Sequence, residues 1–502
     1  MAPVPVPSPA QQHPLNPRVP ALSPISFSAI ISALTFAIDL TEGAAPGHAL
    51  RTCVLGMRIA RALDVPVQQT SSLHRALMLK GVGSSSNSER MRQIVGDDRN
   101  LKSGARLLDW THPDRPMLDT VKLLWTEVLP EGSALNRLAR IGQIALTQRR
   151  HNAEMISLRC ERGAEIVEKL GLSPETVQAI RALDEHWDGT GYPDRLKGTD
   201  IPMLGRILGV AQYLDVVASE RNSNAAVQLL HERSSRWFDP ALVHVVSSLD
   251  NRNELWTECL VSDGTEVARR LVMDFAPAQS DFVDHRDVDR ICEAFADIVD
   301  AKSPFTYRHS VGVADVAASM ARVLQLAPDR VQLVRRAALL HDLGKLAVPN
   351  AILDKADHLT SEEWDIVARH PRLTREILSR IESFGELAEV AGAHHEKLDG
   401  SGYPDGLTAS QLSLEARIVA VADVYQALIE RRPYRAGMSH AEAMTVLHRL
   451  AGLKLDAHCI AAVAIARDPW TVWTPTTSVN TNPPRRRPMS ISSGIRAAAG
   501  LS

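Results

Sequence analysis

Apolar residues recur at helical spacing along much of the chain. Residues 288–300, VDRICEAFADIVD, show this periodicity, and so do residues 440–452 and 455–466 nearer the C-terminal end. A further apolar run leads into His341 and Asp342, with Gly344 after it as a helix stop signal. We therefore predict an all-α fold.

The composition also favours helices, and it indicates a globular protein. Aromatic residues make up 4% of the 502 residues, while Ala, Leu, Val and Arg are plentiful. The length allows two or three domains, and 45% hydrophobic with 23% charged residues is typical of a globular protein. A net charge of −3 argues against a protein that coats nucleic acid. Five widely spaced cysteines without a CxxC pair indicate a reducing cytoplasm.

The apolar stretch at 25–38 raises the question of a signal peptide or a membrane helix. It is too short to span a bilayer, has no charged cluster before it and runs into Asp39. We interpret it as a bundle helix, and we expect a cytoplasmic protein with no membrane partner. The basic triplet at 485–487 is assigned to a solvated tail, so we also expect no nucleic-acid partner.

A histidine pair and a turn-rich loop occupy residues 393–405, which read AHHEKLDGSGYPD. Histidine is the commonest metal ligand, and glycine lets the backbone approach a bound group closely. Other histidines and aspartates lie in or beside apolar helical patterns, where an unpaired polar group is costly to bury. These are His309, His341, Asp342, His370 and Asp423. Each alone is explained as a satisfied core residue, but together they supply the nitrogen and carboxylate ligands of a metal centre.

The chain contains an internal repeat. Residues 185–194, EHWDGTGYPD, resemble the loop within residues 393–405. Aligning Asp188 with Asp399 gives an offset of 211 residues. Upstream, His48 aligns with His309 at an offset of 261 residues. Two copies of one domain are therefore predicted, and the difference of 50 residues predicts an insertion in the first copy.

The motifs of the second copy resemble those of one known family. In order they are HS, HDLGK, HP, HHEKLDGSGYPDG, ARIVAVADVY and RRPYR, over about residues 285–465. They resemble an HD-GYP domain of the HD phosphohydrolase superfamily. The resemblance implies an all-helical bundle, a centre of two or three metal ions, often iron or manganese, and hydrolysis of cyclic di-GMP.

The resemblance also implies roles for individual residues. It assigns one metal to His309, His341, Asp342 and Asp423, and the other to His370, His394 and His395, with Asp342 bridging. It assigns phosphate or substrate contacts to Lys345, Tyr403, Arg432 and Arg435. Some members carry a glutamate for a third metal where this chain has Phe305, so we expect two divalent ions. A second acidic residue of the family pattern is replaced by Gln426.

The first copy lacks almost all of these ligands. The replacements are Lys80 for His341, Gly81 for Asp342, Ser84 for Lys345, Arg159 for His370, Leu183 and Asp184 for His394 and His395, and Gln212 for Asp423. Only His48 is retained. The first copy is therefore predicted to be non-catalytic, with the charge of Lys80 where a metal would otherwise sit.

These observations divide the chain into five parts. We predict a disordered tail at 1–24, a degenerate domain at 25–247, a linker at 248–284, a catalytic domain at 285–468 and a second disordered tail at 469–502. The fold class is two HD-type helical bundles in tandem. Docking of the two copies and a homodimer are further expectations.

The expected function is hydrolysis of cyclic di-GMP to pGpG or GMP. Two alternatives remain open at this level. One is an HD hydrolase that acts on another nucleotide, since the metal ligands do not select a base. The other is a cyclic-dinucleotide receptor or scaffold with little turnover.

Overall fold

The computed structural model describes residues 25–42, 47–84, 153–256, 264–275, 282–303, 308–355, 357–431 and 436–467. Helices dominate these residues, which confirms the predicted all-α class. Several predictions lie outside the described residues. They concern both tails, most of the insertion in the first copy, Phe305, Arg432 and Arg435.

The first half of the molecule is a bundle of helices around α2. The helices are α1 (Phe27–Glu42), α2 (His48–Ala62), α3 (Val67–Leu79), α4 (residues 153–169), α5 (Pro174–Arg181), α6 (Met203–Glu220), α7 (Ser223–Glu232) and α8 (Pro240–Asn251). A 3-10 turn at Gly198–Asp200 precedes α6. Helix α2 packs against α3 and α6.

The second half repeats this arrangement. Its helices are α10 (His285–Asp300), α11 (His309–Val323), α12 (Pro328–Leu340), α13 (Asn350–Leu353), α14 (Ser361–Ala368), α15 (His370–Leu378), α16 (Gly385–Gly392), α17 (Leu414–Ile429), α18 (His440–Leu450) and α19 (Ala457–Ala466). Two 3-10 turns lie at Leu343–Ala347 and Glu382–Phe384. Helix α11 packs against α12 and α17, as α2 packs against α3 and α6.

Close backbone contacts recur at matched positions, meaning positions related by the offsets of 261 and 211 residues. A Cβ atom on Gly344 would lie 2.0 Å from the carbonyl oxygen of His370, and one on Gly83 would lie 2.0 Å from that of Arg159. Only glycine fits where two backbones approach this closely. The alignment of the two copies therefore holds on both sides of the first copy's insertion.

The two halves meet through reciprocal contacts. Strand β1 (Ile25–Ser26) pairs antiparallel with β2 (Phe282–Val283), and each strand leads into the first helix of its half. Helix α1 packs against α15 and against the 3-10 turn at Leu343–Ala347, both of which belong to the second half. One hydrophobic core runs through both halves.

Side chains at matched positions also meet across this boundary. Lys169 donates to Asp297 over 2.6 Å, and the guanidinium carbon of Arg380 lies 4.2 Å from the ring centre of Phe36. Lys169 matches Arg380, and Phe36 matches Asp297. The halves are thus related by an approximate two-fold axis, with the first helix of each in contact with the other.

The connection predicted over 248–284 contains regular structure. Helix α8 runs to Asn251, and α9 (Gly264–Phe275) packs against α2. Ala268 and Val272 of α9 are buried, and the carbonyl oxygen of Val272 accepts a hydrogen bond from His74 over 3.1 Å. Its apolar residues recur at helical spacing, but only over the short stretch from Val267 to Phe275, which the linker prediction did not recognise as a helix.

Among the described residues, no helix combines the length and the apolar character needed to cross a membrane.

Candidate metal centre

The predicted metal ligands lie mainly at helix ends in the second half. His309 and His370 begin α11 and α15, His341 and His394 follow the last turns of α12 and α16, and Asp423 lies within α17. The structure brings all seven predicted ligands together, the other two being Asp342 and His395. The side chain of His395 is 22% exposed, and the other six residues are buried.

Three of the histidines are oriented in the same way. The Nδ1 atoms of His341, His370 and His394 each donate over 2.7 Å to the carbonyl oxygen three residues earlier. These oxygens lie in the last turns of α12, α14 and α16, where helix carbonyls lack intrahelical partners. With the proton held on Nδ1, each Nε2 presents a lone pair towards the shared centre.

The free nitrogens converge on Asp342. Its Oδ1 lies 3.3 Å from Nε2 of His370 and 3.7 Å from Nε2 of His394, and its Oδ2 lies 3.3 Å from Nε2 of His341. Among the described residues, Nε2 of His341 and Oδ1 of Asp342 are buried without a hydrogen-bond partner. Buried polar atoms without partners are costly, so this donor set fits a bound cation.

Asp423 and His309 form the other side of the cluster. Oδ1 of Asp423 lies 3.2 Å from Nε2 of His309 and 3.9 Å from Nε2 of His341. Oδ2 of Asp423 lies 3.9 Å from Nδ1 of His395. Asp342 and Asp423 thus present two carboxylates to five imidazoles, a set of ligands that fits bound metal better than a network of hydrogen bonds.

Three of the five imidazoles and both carboxylates are held in the charge states of metal ligands. At the other two, His309 and His341, burial alone would lower the pKa, but the facing carboxylates raise it. Burial lowers the pKa of His370, and burial together with neighbouring histidines holds the pKa values of His394 and His395 well below the usual range. Burial alone would raise the pKa of Asp342 and Asp423, but nearby histidines, and Lys345 beside Asp342, hold both well below normal. Neutral imidazoles and ionised carboxylates are the forms that bind cations.

Lys345 and Tyr403 border this cluster. Nζ of Lys345 donates to Oδ2 of Asp342 over 2.6 Å, and the lysine side chain is 24% exposed. The ring of Tyr403 lies 4.8 Å from that of His395. The carboxylate of Glu396 accepts backbone hydrogen bonds from the loop that carries Tyr403, as Glu185 does in the first half.

Two neighbouring residues were absent from the sequence candidates. Trp364 is 37% exposed, and its ring packs edge-on to Tyr403 at 5.9 Å. Glu430 accepts a hydrogen bond from Nδ1 of His309 over 2.9 Å. The sequence held a weak signal of Trp364, which is a lone tryptophan among charged residues in SEEWDIVA. It also held a signal of Glu430, which is an acidic residue one helical turn after Gln426.

Comparison with known proteins identifies the family. A family model described as the HD domain matches residues 132–242 and 293–459. The chain is 38% identical over 440 residues to 3'3'-cGAMP-specific phosphodiesterase 3 of Vibrio cholerae serotype O1, covering 87% of this chain and 94% of that protein. The chain belongs to the HD-domain family.

Other relatives place this HD-domain protein in the HD-GYP group. It is 42% identical over 156 residues to a cyclic di-GMP phosphodiesterase response regulator of Xanthomonas campestris, covering 30% of this chain and 41% of that protein. A crystal structure of a cyclic GMP-AMP specific phosphodiesterase from V. cholerae has a TM-score of 0.60 and 34% sequence identity. That match covers 88% of this chain and 98% of the crystallised one. The predicted family is confirmed, and its members include phosphodiesterases of cyclic dinucleotides.

The first half of this HD-GYP protein has a different buried centre. Lys80 is buried directly after α3, at the point where His341 follows α12. Arg159 and Asp184, which match His370 and His395, form an ion pair. In the described part of the chain, the three groups of residues that could hold a metal ion all lie in the second half.

Proposed function

We propose that the second half is a metal-dependent phosphodiesterase that hydrolyses a 3′,3′-linked cyclic dinucleotide. The observation that carries this proposal is the convergence of three Nε2 lone pairs on the buried carboxylate of Asp342. On this proposal His309, His341, Asp342 and Asp423 hold one ion, and His370, His394 and His395 hold the other, with Asp342 between them.

The proposed ions are divalent, with iron or manganese as candidates, because imidazole and carboxylate ligands suit both. Two bound ions would supply an activated water and stabilise negative charge on the phosphoryl oxygens. The protein contributes a rigid set of donors, since helix carbonyls and buried packing hold the histidines in place.

Lys345 is proposed to contact the phosphate under attack. Its Nζ lies beside Asp342 and its side chain reaches the surface of the site, so it can approach a substrate without leaving the carboxylate. Tyr403 and Trp364 offer aromatic surface next to His395, where a base of the substrate can stack. Arg432 and Arg435 are proposed for the second phosphate on the resemblance alone.

The substrate proposal names 3'3'-cGAMP first and cyclic di-GMP second. One relative that aligns with 87% of this chain, and so with both halves, is named as specific for 3'3'-cGAMP. The relative from X. campestris, which matches 30% of this chain, is named as a cyclic di-GMP phosphodiesterase. Cyclic di-GMP, the substrate expected from the motifs, therefore stays the second candidate.

One assay separates these candidates. Purified protein reconstituted with Mn(II) or Fe(II) is given each dinucleotide, and the products are separated by chromatography. We expect a linear dinucleotide or mononucleotides from 3'3'-cGAMP at a higher kcat/KM than from cyclic di-GMP. Binding of either dinucleotide without any product would instead support the receptor alternative.

We also propose that the first half stabilises the catalytic half by docking. Helix α1 covers the 3-10 turn that carries Lys345, and the Arg380–Phe36 and Lys169–Asp297 contacts cross the boundary in both directions. Burial of apolar surface between the halves would then contribute to the stability of the metal site.

A further inference from the structure

The histidine that begins α11 is held from both sides of its ring. Nε2 of His309 faces Asp423, while Nδ1 donates to the carboxylate of Glu430 over 2.9 Å. Glu430 directly follows α17 and its side chain is 18% exposed. Its other oxygen accepts a hydrogen bond from the side-chain amide of Gln426 over 2.7 Å.

The first half supports the matched histidine with a different residue. Nδ1 of His48 donates over 2.6 Å to Asp215, which matches Gln426. The residue that matches Glu430 is Ser219. The acidic partner of the histidine therefore lies four residues later in the second half, which is about one helical turn.

The two halves also differ at another pair of matched positions, which contacts these residues. Arg51 of the first half donates to both Asp215 and Ser219. Its match in the second half is Gly312, where a Cβ atom would lie 2.2 Å from the amide nitrogen of Gln426. Glycine thus leaves the space in which Gln426 turns towards Glu430.

We propose that Glu430 is the positioning residue of His309, and that it replaces the acidic residue lost at position 426. A carboxylate that accepts from Nδ1 keeps the proton there and presents Nε2 to the ion. Gln426 orients this carboxylate but bears no charge. The inference rests on the proposed metal centre in one respect, namely that His309 is a ligand.

The test measures metal binding as well as turnover. Loss of such a supporting partner weakens metal affinity by about 10- to 100-fold. Glu430→Ser should therefore show that loss for Mn(II), measured by titration of metal-free protein, together with a lower kcat and an unchanged KM. Glu376→Ser is the matched control, because Glu376 is exposed on α15 and the substitution removes the same charge.

A rescue variant keeps the test independent of general damage to the fold. Glu430→Ser with Gln426→Asp moves the carboxylate to the position that it has in the first half, and it should restore Mn(II) affinity to within a few-fold of the wild type. Wild-type affinity in Glu430→Ser would overturn the inference, and so would failure of the double variant to recover affinity. Because Mn(II) affinity is read without substrate, absence of turnover in the wild type would contradict the proposed function and leave this test intact.

Discussion

The Nε2 atoms of His370 and His394 lie 3.1 Å apart, and each ring donates its Nδ1 proton to a helix carbonyl. Both imidazoles have a lowered pKa, so both are neutral and the facing nitrogens carry lone pairs. Two lone pairs at this distance repel each other unless a cation lies between them.

The first prediction follows from that pair. His394→Ala should lower the number of Mn(II) ions bound per chain and abolish hydrolysis, because it removes one member of the most nitrogen-rich group. Lys80→Met, at a buried position of the first half, should leave the metal content unchanged. Metal analysis by mass spectrometry checks both, and equal metal content in wild type and His394→Ala would contradict the ligand assignment.

The second prediction concerns Lys345. Lys345→Met should reduce kcat by roughly 10- to 100-fold, because a charge-assisted contact is worth about 1.5–3 kcal/mol. Metal content should stay near that of the wild type, because the lysine contacts Asp342 without being a ligand itself. Steady-state kinetics and metal analysis on one preparation separate the two effects. An unchanged kcat would leave Lys345 only the role of neutralising Asp342.

The third prediction concerns Trp364, whose exposed ring packs against Tyr403. Stacking of a base on an aromatic side chain is worth about 1–3 kcal/mol, so Trp364→Ala should raise KM by roughly 5- to 150-fold with little change in kcat. Trp364→Phe keeps an aromatic face and should lie close to the wild type. If both variants bind substrate like the wild type, Trp364 does not contact a base.

The fourth prediction concerns the boundary between the halves. A fragment that begins at Phe282 lacks α1 and β1, and therefore exposes the faces of α15 and of the Leu343–Ala347 turn that α1 covers. It should melt at a lower temperature than the whole chain or show altered turnover. Calorimetry and kinetics check this. Full stability with unchanged kinetics in the fragment would show that the halves are independent.

The sequence was sufficient for the fold class and for the positions of the candidate ligands. Helical periodicity marked α10, and motif spacing brought the histidines and aspartates of distant helices to one cluster. Such motifs can be recognised in a sequence because each ligand needs a defined residue type at a defined place on a helix.

Other features depend on tertiary contacts that no local pattern encodes. Glu430 reaches His309 across 121 residues of sequence, and Trp364 is defined only by its packing against Tyr403. Helix α9 is an exception, since its apolar residues do recur at helical spacing, but over too few residues to stand out from the predicted linker. The contact of each first helix with the opposite half depends on residues far apart in sequence, as the pairs Arg380–Phe36 and Lys169–Asp297 show.

The most direct measurement follows turnover against bound metal. Metal-free protein is titrated with Mn(II) or Fe(II), and hydrolysis of 3'3'-cGAMP and cyclic di-GMP is recorded at each step for the wild type and for Asp342→Ala. We predict that hydrolysis in the wild type rises until about two ions are bound per chain, and that Asp342→Ala stays inactive at every step. Full hydrolysis by metal-free protein, or by Asp342→Ala, would contradict a metal centre built around Asp342.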